Sequence, residues 1–327
     1  MDGVLGLAGA NLVSPIILSF VLGLVAALAR SDLNFPEAVA KGLSLYLLFA
    51  IGFKGGASVA AHGVDVRLVA ALLSGIVLSL VLPFIAFVLI RSLATVSVVD
   101  AAAVAGHYGS ISIVTFVAAS SLLTGLGITA EGYMVAVAAA MEAPAILSAL
   151  WLAAYRSSTA DGFGTDLWRE ILLNGSIVLL LGAFAIGWIT GQDGLAEIES
   201  FIVAPFKGVL CLFLLDMGLV AGRGLRGSQG LLSPGVVAFG ILMPLLGAGA
   251  GLAAGLLLGL SLGGVVLLMV LGASASYIAV PAAMRVALPE ANPALSLTLS
   301  LGVTFPFNLT LGIPLYLMMA SAVVVTE

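Results

Sequence analysis

Apolar residues run through most of this chain in long segments separated by short polar stretches. The segments are about 20 residues long, which is the length that an α-helix needs to cross a bilayer. They lack the alternation of apolar and polar positions found in barrel strands, and the pattern therefore predicts helices. Ten spans are predicted, at residues 11–30, 39–60, 67–91, 97–124, 132–155, 170–190, 204–222, 232–260, 264–288 and 294–320.

The composition places these helices in a membrane. Hydrophobic residues make up 62% of the chain and charged residues only 8%, with a mean hydropathy of +1.27, whereas about a quarter of the residues in soluble domains are charged. Because backbone N–H and C=O groups must be satisfied internally in hydrocarbon, we expect an all-α integral membrane protein. The net charge of −5 forms no basic stripe, which argues against nucleic-acid binding. The single cysteine, Cys211, cannot form an internal disulfide.

The two halves of the chain carry similar residues at a spacing of 166 (207 − 41). The matching sets are Lys41 and Gly42 with Lys207 and Gly208, Gly52 and Gly56 with Gly218 and Gly222, and Gly106 and Ser110 with Gly272 and Ser276. An ordered series of this kind indicates an internal repeat. Each half holds five spans, an odd number, so the second copy must enter the membrane from the opposite side. We therefore predict two inverted repeats, at 1–155 and 170–327, joined by a short cytoplasmic connection at 156–169.

Lysine and arginine residues are unequally divided between the two sides of the predicted bundle. The connections after odd-numbered spans contain eight of them and the other side contains three. The positive-inside rule then places both termini outside the cytoplasm. Lys54, near the outer end of the second span, is expected to extend its ammonium group to the interface.

Two polar stretches interrupt the apolar pattern at equivalent places. The sequence "GHYGSISIVTF" occupies 106–116 in the fourth span, and "GASASY" occupies 272–277 in the ninth. Gly106 lies about nine residues into its span, or ~14 Å at 1.5 Å per residue, which is close to the bilayer midplane. We predict that the fourth and ninth spans are broken helices that cross there. The alternative is that these small residues serve only close helix packing.

A broken helix exposes carbonyl groups at the end of its first half and N–H groups at the start of its second half. The carbonyl groups suit a cation, and the N–H groups, at the positive end of a helix dipole, suit an anion. Serine hydroxyls supply further donors, and Gly109 permits close approach to the backbone. The hydroxyl donors are Ser110, Ser112, Ser274 and Ser276. A small monoanion is the expected ligand.

Acidic and polar residues add candidate cation ligands. Glu142 and Asp216 are predicted near the midplane, where a charge costs about 2.5–3.5 kcal/mol, so a bound cation or a proton is their expected partner. Asp100 lies only about three residues inside the fourth span, at either a solvated interface or a cation site. Thr304 and Asn308 flank Pro306 and either coordinate an ion or bond to the backbone that the proline frees.

These stretches resemble the sodium-dependent bicarbonate symporter family of cyanobacteria. The similarity lies in "DAAAVAGHYGSISIVTFVAAS" from Asp100, "MEAPAIL" from Met141, "SASYIAVPAAMRVALPEANPAL" and "LSLGVTFPFNLTLGIPLY". The resemblance implies ten helices divided into core and gate domains, a homotrimer, and sodium-coupled bicarbonate uptake across the bacterial plasma membrane. It implies a transporter rather than an enzyme, with sodium as the coupling ion and no other cofactor.

The resemblance also assigns residues. Expected anion contacts are Gly109, Ser110, Ile111, Ser112, Ser274, Ala275, Ser276 and Tyr277. For sodium the resemblance implies a site near Asp100 and the helix breaks. Combined with the acidic and polar residues above, the expected sodium ligands are Asp100, Ser110, Glu142 and Thr304, with Asp216 and Asn308 as further polar candidates. Inhibition by a small PII-like protein at the cytoplasmic face is a family trait, although the connection at 156–169 is shorter than the family's long cytoplasmic loop.

Two other functions fit the residues less closely. One is transport of another small anion or an organic carboxylate, or sodium/proton exchange, although no aspartate pair for proton exchange lies at the breaks. The other is an intramembrane hydrolase with Ser110 as nucleophile and His107, three residues away, as base. Without such a role, His107 is expected to be packed or to face a pore.

Overall fold

The computed structural model describes residues 13–63, 66–142, 144–156, 175–227, 232–278, 280–281, 283–284 and 288–324, and within these residues it contains helices and no strands. The connection predicted at 156–169 lies outside the described residues after Arg156. The helices are α1 Pro15–Leu28, α2 Glu37–His62, α3 Val66–Leu93, α4 Val98–Gly109, α5 Ile113–Gly125, α6 Met134–Ala140, α7 Pro144–Arg156, α8 Gly175–Ile202, α9 Phe206–Gly227, α10 Pro234–Leu257, α11 Leu262–Ala273 and α12 Pro293–Val323.

The helices agree with the predicted spans. Eight segments of the described chain are long and apolar enough to cross a membrane, with α4 and α5 forming one segment and α6 and α7 another. The remaining two, α1 and α11, are shorter apolar helices. The prediction of an all-α, multi-pass membrane protein is confirmed.

Serine residues fix where several helices begin. Ser97, Ser233 and Ser261 each accept a hydrogen bond from the backbone N–H three residues further on, at the starts of α4, α10 and α11. Each bond satisfies one of the N–H groups that have no carbonyl partner in the first turn. The short polar connections therefore set the limits of the apolar helices.

The sixth predicted span is longer than expected. It was predicted to end at residue 190 because "GQDGLAEIE" is polar and contains glycine, but α8 continues to Ile202. Gly191 has φ 63° and ψ −149°, so the helix changes direction there and continues. Leucine, alanine and glutamate are strong helix formers, and the loss of hydrophobicity marks the limit of the apolar part and not of the helix.

The fifth span is broken, although a continuous helix over 132–155 was predicted. The helix α6 ends at Ala140 and α7 begins at Pro144, with Glu142 between them. Proline has no N–H and its ring clashes with the preceding turn, which favours a new helix start at Pro144. The freed Met141 carbonyl accepts a 2.6 Å hydrogen bond from the Ser79 hydroxyl of α3.

The tenth span departs from α-helical geometry around its own proline. Two π-helical turns, Ser300–Thr304 and Asn308–Gly312, flank Pro306 within α12. Such turns occur often at functional sites because they redirect side chains and leave backbone groups open to other partners.

Glycines bring two helix pairs into backbone contact. α2 packs extensively against α8, and α1 packs against α9. A Cβ atom at any of these glycines would meet backbone atoms of the facing helix, as at other interfaces rich in small residues. The pairs are Gly52 with Leu180, Gly56 with Phe184, Gly218 with Phe20 and Gly222 with Leu24.

The helices fall into two groups by their contacts. The group of α1, α2, α8 and α9 is held by the glycine contacts just described. In the other group, α4 packs against α3 and α7, and α10 packs against α3 and α11. Gly247 and Gly251 of α10 lie directly against the backbone of α11. Both predicted breaks lie in this second group.

We expect Gly56→Ala to lower the free energy of unfolding by about 1–3 kcal/mol, the usual cost of overpacking. A Cβ there would collide with the Phe184 carbonyl oxygen and lie 2.7 Å from the Trp188 nitrogen. Gly42→Ala on the same helix is the control, because nothing lies within 4 Å of its Cβ, and alanine favours a helix by about 0.5–1 kcal/mol. Thermal unfolding of the purified protein in detergent measures both, and equal melting temperatures would contradict the predicted contact.

Candidate functional site

The first break is present in the sequence stretch that predicted it. α4 ends at Gly109, the next three residues are not helical, and α5 begins at Ile113. The Ser112 hydroxyl accepts a 3.2 Å hydrogen bond from the Thr115 N–H and so caps α5. A Cβ at Gly109 would collide with the ring of Pro83 in α3, so close packing against α3 requires glycine here.

The second break follows α11. The helix ends at Ala273, and the next three residues, Ser274, Ala275 and Ser276, are not helical. The two helix ends lie 164 residues apart (273 − 109), two fewer than the predicted repeat spacing. The cap residues Ser110 and Ser274 have similar backbone angles, with φ −85° and ψ −179° for Ser110 and φ −87° and ψ 164° for Ser274.

The two breaks contact each other through buried hydrogen bonds. The Ser112 N–H donates to the Ser274 hydroxyl at 2.9 Å, and the Ser276 N–H donates to the His107 carbonyl at 2.7 Å. The Ser112 hydroxyl donates to the Tyr277 hydroxyl at 3.1 Å. Thus two of the amides predicted to face an anion instead join the breaks. The amides of Ile113 and Val114 lie in the first turn of α5, where an N–H group has no carbonyl partner within the helix.

Four buried side-chain atoms have no hydrogen-bond partner among the described residues. They are Ser110 Oγ, Glu142 Oε2, His107 Nε2 and Ser300 Oγ. More than nine in ten buried polar groups in proteins are paired, so such atoms indicate a functional constraint. Gly109 at the end of α4 lies against Ala145 at the start of α7. Ser110 is next to Gly109 in the chain and Glu142 is three residues before Ala145, so both lie within about one turn of this contact between α4 and α7.

Comparison with protein families places this chain in a known family. The model of the Na⁺-dependent bicarbonate transporter superfamily matches residues 15–321. The chain belongs to this family. Comparison with curated proteins gave no match. The matched region includes both breaks and every candidate site residue, so the resemblance found in the sequence is confirmed at the level of the superfamily.

Thr304 and Asn308, two candidate ligands in this bicarbonate transporter family member, are bonded to the protein. The Thr304 hydroxyl lies 2.5 Å from the Tyr108 hydroxyl and donates to the Gly240 carbonyl at 2.7 Å. The Asn308 amide donates to the Ala273 carbonyl at 2.9 Å, and its oxygen accepts from Tyr316 at 2.8 Å. Asn308 thus satisfies a carbonyl freed by the α11 break. Both residues bond to backbone carbonyls, as one of the two sequence interpretations had it, but the carbonyls belong to other spans and not to the backbone freed by Pro306.

Asp100 lies away from the breaks, and Asp216 lies on a helix of the other group. The Asp100 carboxylate accepts hydrogen bonds of 2.7 Å from the Ser97 hydroxyl and from the Asn292 N–H. It lies about ten residues, or ~15 Å, along α4 from Ser110. Asp216 is buried in α9, which belongs to the other helix group. Their roles as cation ligands remain predictions.

His107 and Ser110 do not form a nucleophile and base pair. The His107 Nδ1 atom lies 2.7 Å from the Ala103 carbonyl, whereas its Nε2 atom and the Ser110 hydroxyl both lack described partners. A hydrolase would need a hydrogen bond between the hydroxyl and the ring. The geometry gives this alternative no support.

We expect Asn308→Leu to lower the free energy of unfolding by about 1–3 kcal/mol, because the Ala273 carbonyl and the Tyr316 hydroxyl lose their buried partner. Thr310→Val is the control, since it removes only a bond within α12, to the Pro306 carbonyl. Melting in detergent should separate the variants clearly. A wild-type melting temperature for Asn308→Leu would show that the α11 break does not depend on this cap.

Proposed function

We propose that this protein is a symporter that couples sodium entry to bicarbonate uptake across the bacterial plasma membrane. The observation that carries the proposal is the contact between the two breaks, next to which Ser110 and Glu142 retain unpaired buried oxygens. Membership of a bicarbonate transporter superfamily supports the class of substrate.

Bicarbonate is proposed to bind at the start of α5. The Ile113 and Val114 amides offer N–H donors at the positive end of a helix dipole. The hydroxyls of Ser110 and Tyr277 are proposed as side-chain donors on the two breaks, and Ile111, Ala275 and Ser276 as the surrounding surface; all five residues are buried. A site of backbone amides and hydroxyls suits a small monoanion, because hydrogen bonding does not require a fixed cation in the membrane interior.

Sodium is proposed to bind at the junction of α4 and α7. The oxygens of Ser110 and Glu142 are buried there without described partners. A buried carboxylate is costly unless it is paired or neutralised. A sodium ion would neutralise the Glu142 carboxylate, and it would be bound by the oxygen atoms of the two side chains. Thr304, Asp100, Asp216 and Asn308 are secondary candidates, since hydrogen bonds within the protein already engage three of them.

Charge balance explains how the two ions are coupled. Sodium at Glu142 removes the repulsion that this carboxylate would exert on an anion near Ser110, and the anion in turn stabilises sodium. Each ion therefore raises the affinity for the other by the same factor. One sodium ion and one bicarbonate entering together move no net charge, so the membrane potential would contribute about 2.3 kcal/mol per 100 mV only for each sodium ion beyond the first.

The wider architecture proposed from the family also has support in the helix contacts. The pairing of α1 with α9 and of α2 with α8 through glycines at matching positions supports two inverted repeats. The two helix groups correspond to the proposed gate and core domains. A homotrimer, both termini outside the cytoplasm, and inhibition by a PII-like protein at the cytoplasmic face complete the proposal.

Transport of another small anion or an organic carboxylate is the second candidate, because amides and hydroxyls recognise carboxylates as well as bicarbonate. Unlabelled nitrate, formate and acetate, added separately as competitors, distinguish these substrates. Inhibition by one of them at concentrations below those at which bicarbonate competes would reassign the substrate.

Uptake of labelled bicarbonate into proteoliposomes tests the proposal. We expect the initial rate to rise several-fold with an inward sodium gradient compared with an equal potassium gradient, because sodium must bind with the anion. Equal rates under the two gradients would overturn sodium coupling. Absence of uptake under both would overturn bicarbonate as the substrate.

We expect Glu142→Gln to raise the sodium concentration for half-maximal uptake by about tenfold, equivalent to ~1.4 kcal/mol. Ser110→Ala should weaken the dependence of the uptake rate on both the sodium and the bicarbonate concentration. Glu37→Gln, in the first turn of α2, and Ser148→Ala, a buried serine bonded to the Leu80 carbonyl, are the matched controls. Unchanged sodium dependence in a folded Glu142→Gln protein would remove Glu142 from the site.

A further inference from the structure

A cavity of about 560 Å³ lies between the two helix groups. Its walls come from α2 and the start of α9 in one group, from α11 in the other, and from α5 and α6. Such a position, between groups proposed to move relative to one another, is where a transport pathway is expected.

The cavity runs along α5 toward the first break. Thr124 and Gly127 line it at the far end of α5, and Phe116 and Val117 line it near the beginning. Phe116 is four residues, or ~6 Å, beyond Ser112. In the proposed orientation the far end of α5 is extracellular. The cavity therefore leads from the outer face to within about one turn of the anion site.

Two lysines line this cavity. The Lys54 ammonium lies 3.8 Å from the centre of the Phe206 ring, and Lys207 follows Phe206 in the first turn of α9. Lys54 lies within the apolar helix α2, 13 residues from Lys41 at the other end. An intramembrane lysine is costly and indicates a function by default. The sequence predicted that the Lys54 ammonium extends to the interface. In the structure the ammonium lies at the wall of this cavity, over the Phe206 ring.

The one carboxylate among the described lining residues is already engaged. Glu131 accepts hydrogen bonds from the Ser261 N–H at 2.7 Å and from the Ser261 hydroxyl at 2.9 Å. It lies against Gly264, at the start of α11, where the helix dipole is positive and offsets its charge. The carbonyls at the end of α5 are bonded by the N–H groups that follow them. The lysines therefore dominate the field in the cavity.

We propose that this cavity is an outer vestibule that collects the transported monoanion before it reaches the breaks. The vestibule is defined by Lys54, Lys207, Phe116, Val117 and Thr124. Lysine suits this role, because its compact and strongly hydrated charge attracts an anion without the two-point grip of arginine. The ligand is bicarbonate if the proposed function holds, and otherwise the small monoanion that the breaks accept.

Transport kinetics test the vestibule. We expect the double variant Lys54→Met and Lys207→Gln to raise KM for bicarbonate by about tenfold with little change in the maximal rate, since a positively lined cleft speeds anion capture. The difference should shrink at about 0.5 M choline chloride, which screens charges. Lys41→Gln, on α2 but remote from the cavity, is the control, and Lys54→Arg with Lys207→Arg should restore KM.

A second measurement does not depend on transport. Ser121 lines the vestibule and a neighbouring cavity that also contains Cys211, the single cysteine. In a Cys211→Ser background, Ser121→Cys should react faster with an anionic than with a cationic methanethiosulfonate of similar size. Removing the two lysines should abolish this preference, and Lys41→Gln should leave it unchanged.

The two experiments separate the vestibule from the proposed function. An unchanged KM together with an unchanged reagent preference in the double variant would overturn the vestibule. A lost preference in a protein that takes up no bicarbonate would retain the vestibule for another anion and overturn only the substrate assigned above.

Discussion

The hydrogen bonds between the two helix breaks are the constraint on which the rest of the structure depends. A break in the membrane interior exposes backbone groups that no water can satisfy. Here the Ser112 amide donates to the opposite break and the Ser276 amide to the last turn of α4, while the Asn308 side chain donates to the Ala273 carbonyl. Each break is therefore tolerated only when the other is in place, which ties the two halves of the chain into one assembly.

Some buried oxygens next to this network have no hydrogen-bond partner among the described residues. The same junctions that satisfy Ser112, Ser274 and Thr304 leave Ser110 and Glu142 without described partners. Packing alone would favour apolar side chains at such positions, because an unpaired buried polar group costs free energy. The retained cost is the one that bound ions would offset at the proposed site.

The contacts outside the site follow a different rule. Glycine allows α2 and α8, and likewise α1 and α9, to meet backbone to backbone, whereas side-chain hydrogen bonds add to the glycine contacts around the break-bearing helices. The group containing α2 also carries Lys54, so any movement between the groups changes the distance between this charge and the breaks. The proposed vestibule charge and the proposed ion site thus belong to different helix groups.

The sequence by itself determined the membrane class, the limits of most helices and the position of both breaks, because apolar length, glycine, serine and proline act locally. It missed the continuation of α8 beyond Gly191 and the interruption at Glu142, where helix propensity and Pro144 outweighed the hydropathy pattern. Only the tertiary structure decided that Asn308 caps α11, that Asp100 is held by Asn292, and that Lys54 faces a cavity. These outcomes depend on which helices become neighbours, and hydrophobic pattern alone does not encode that choice.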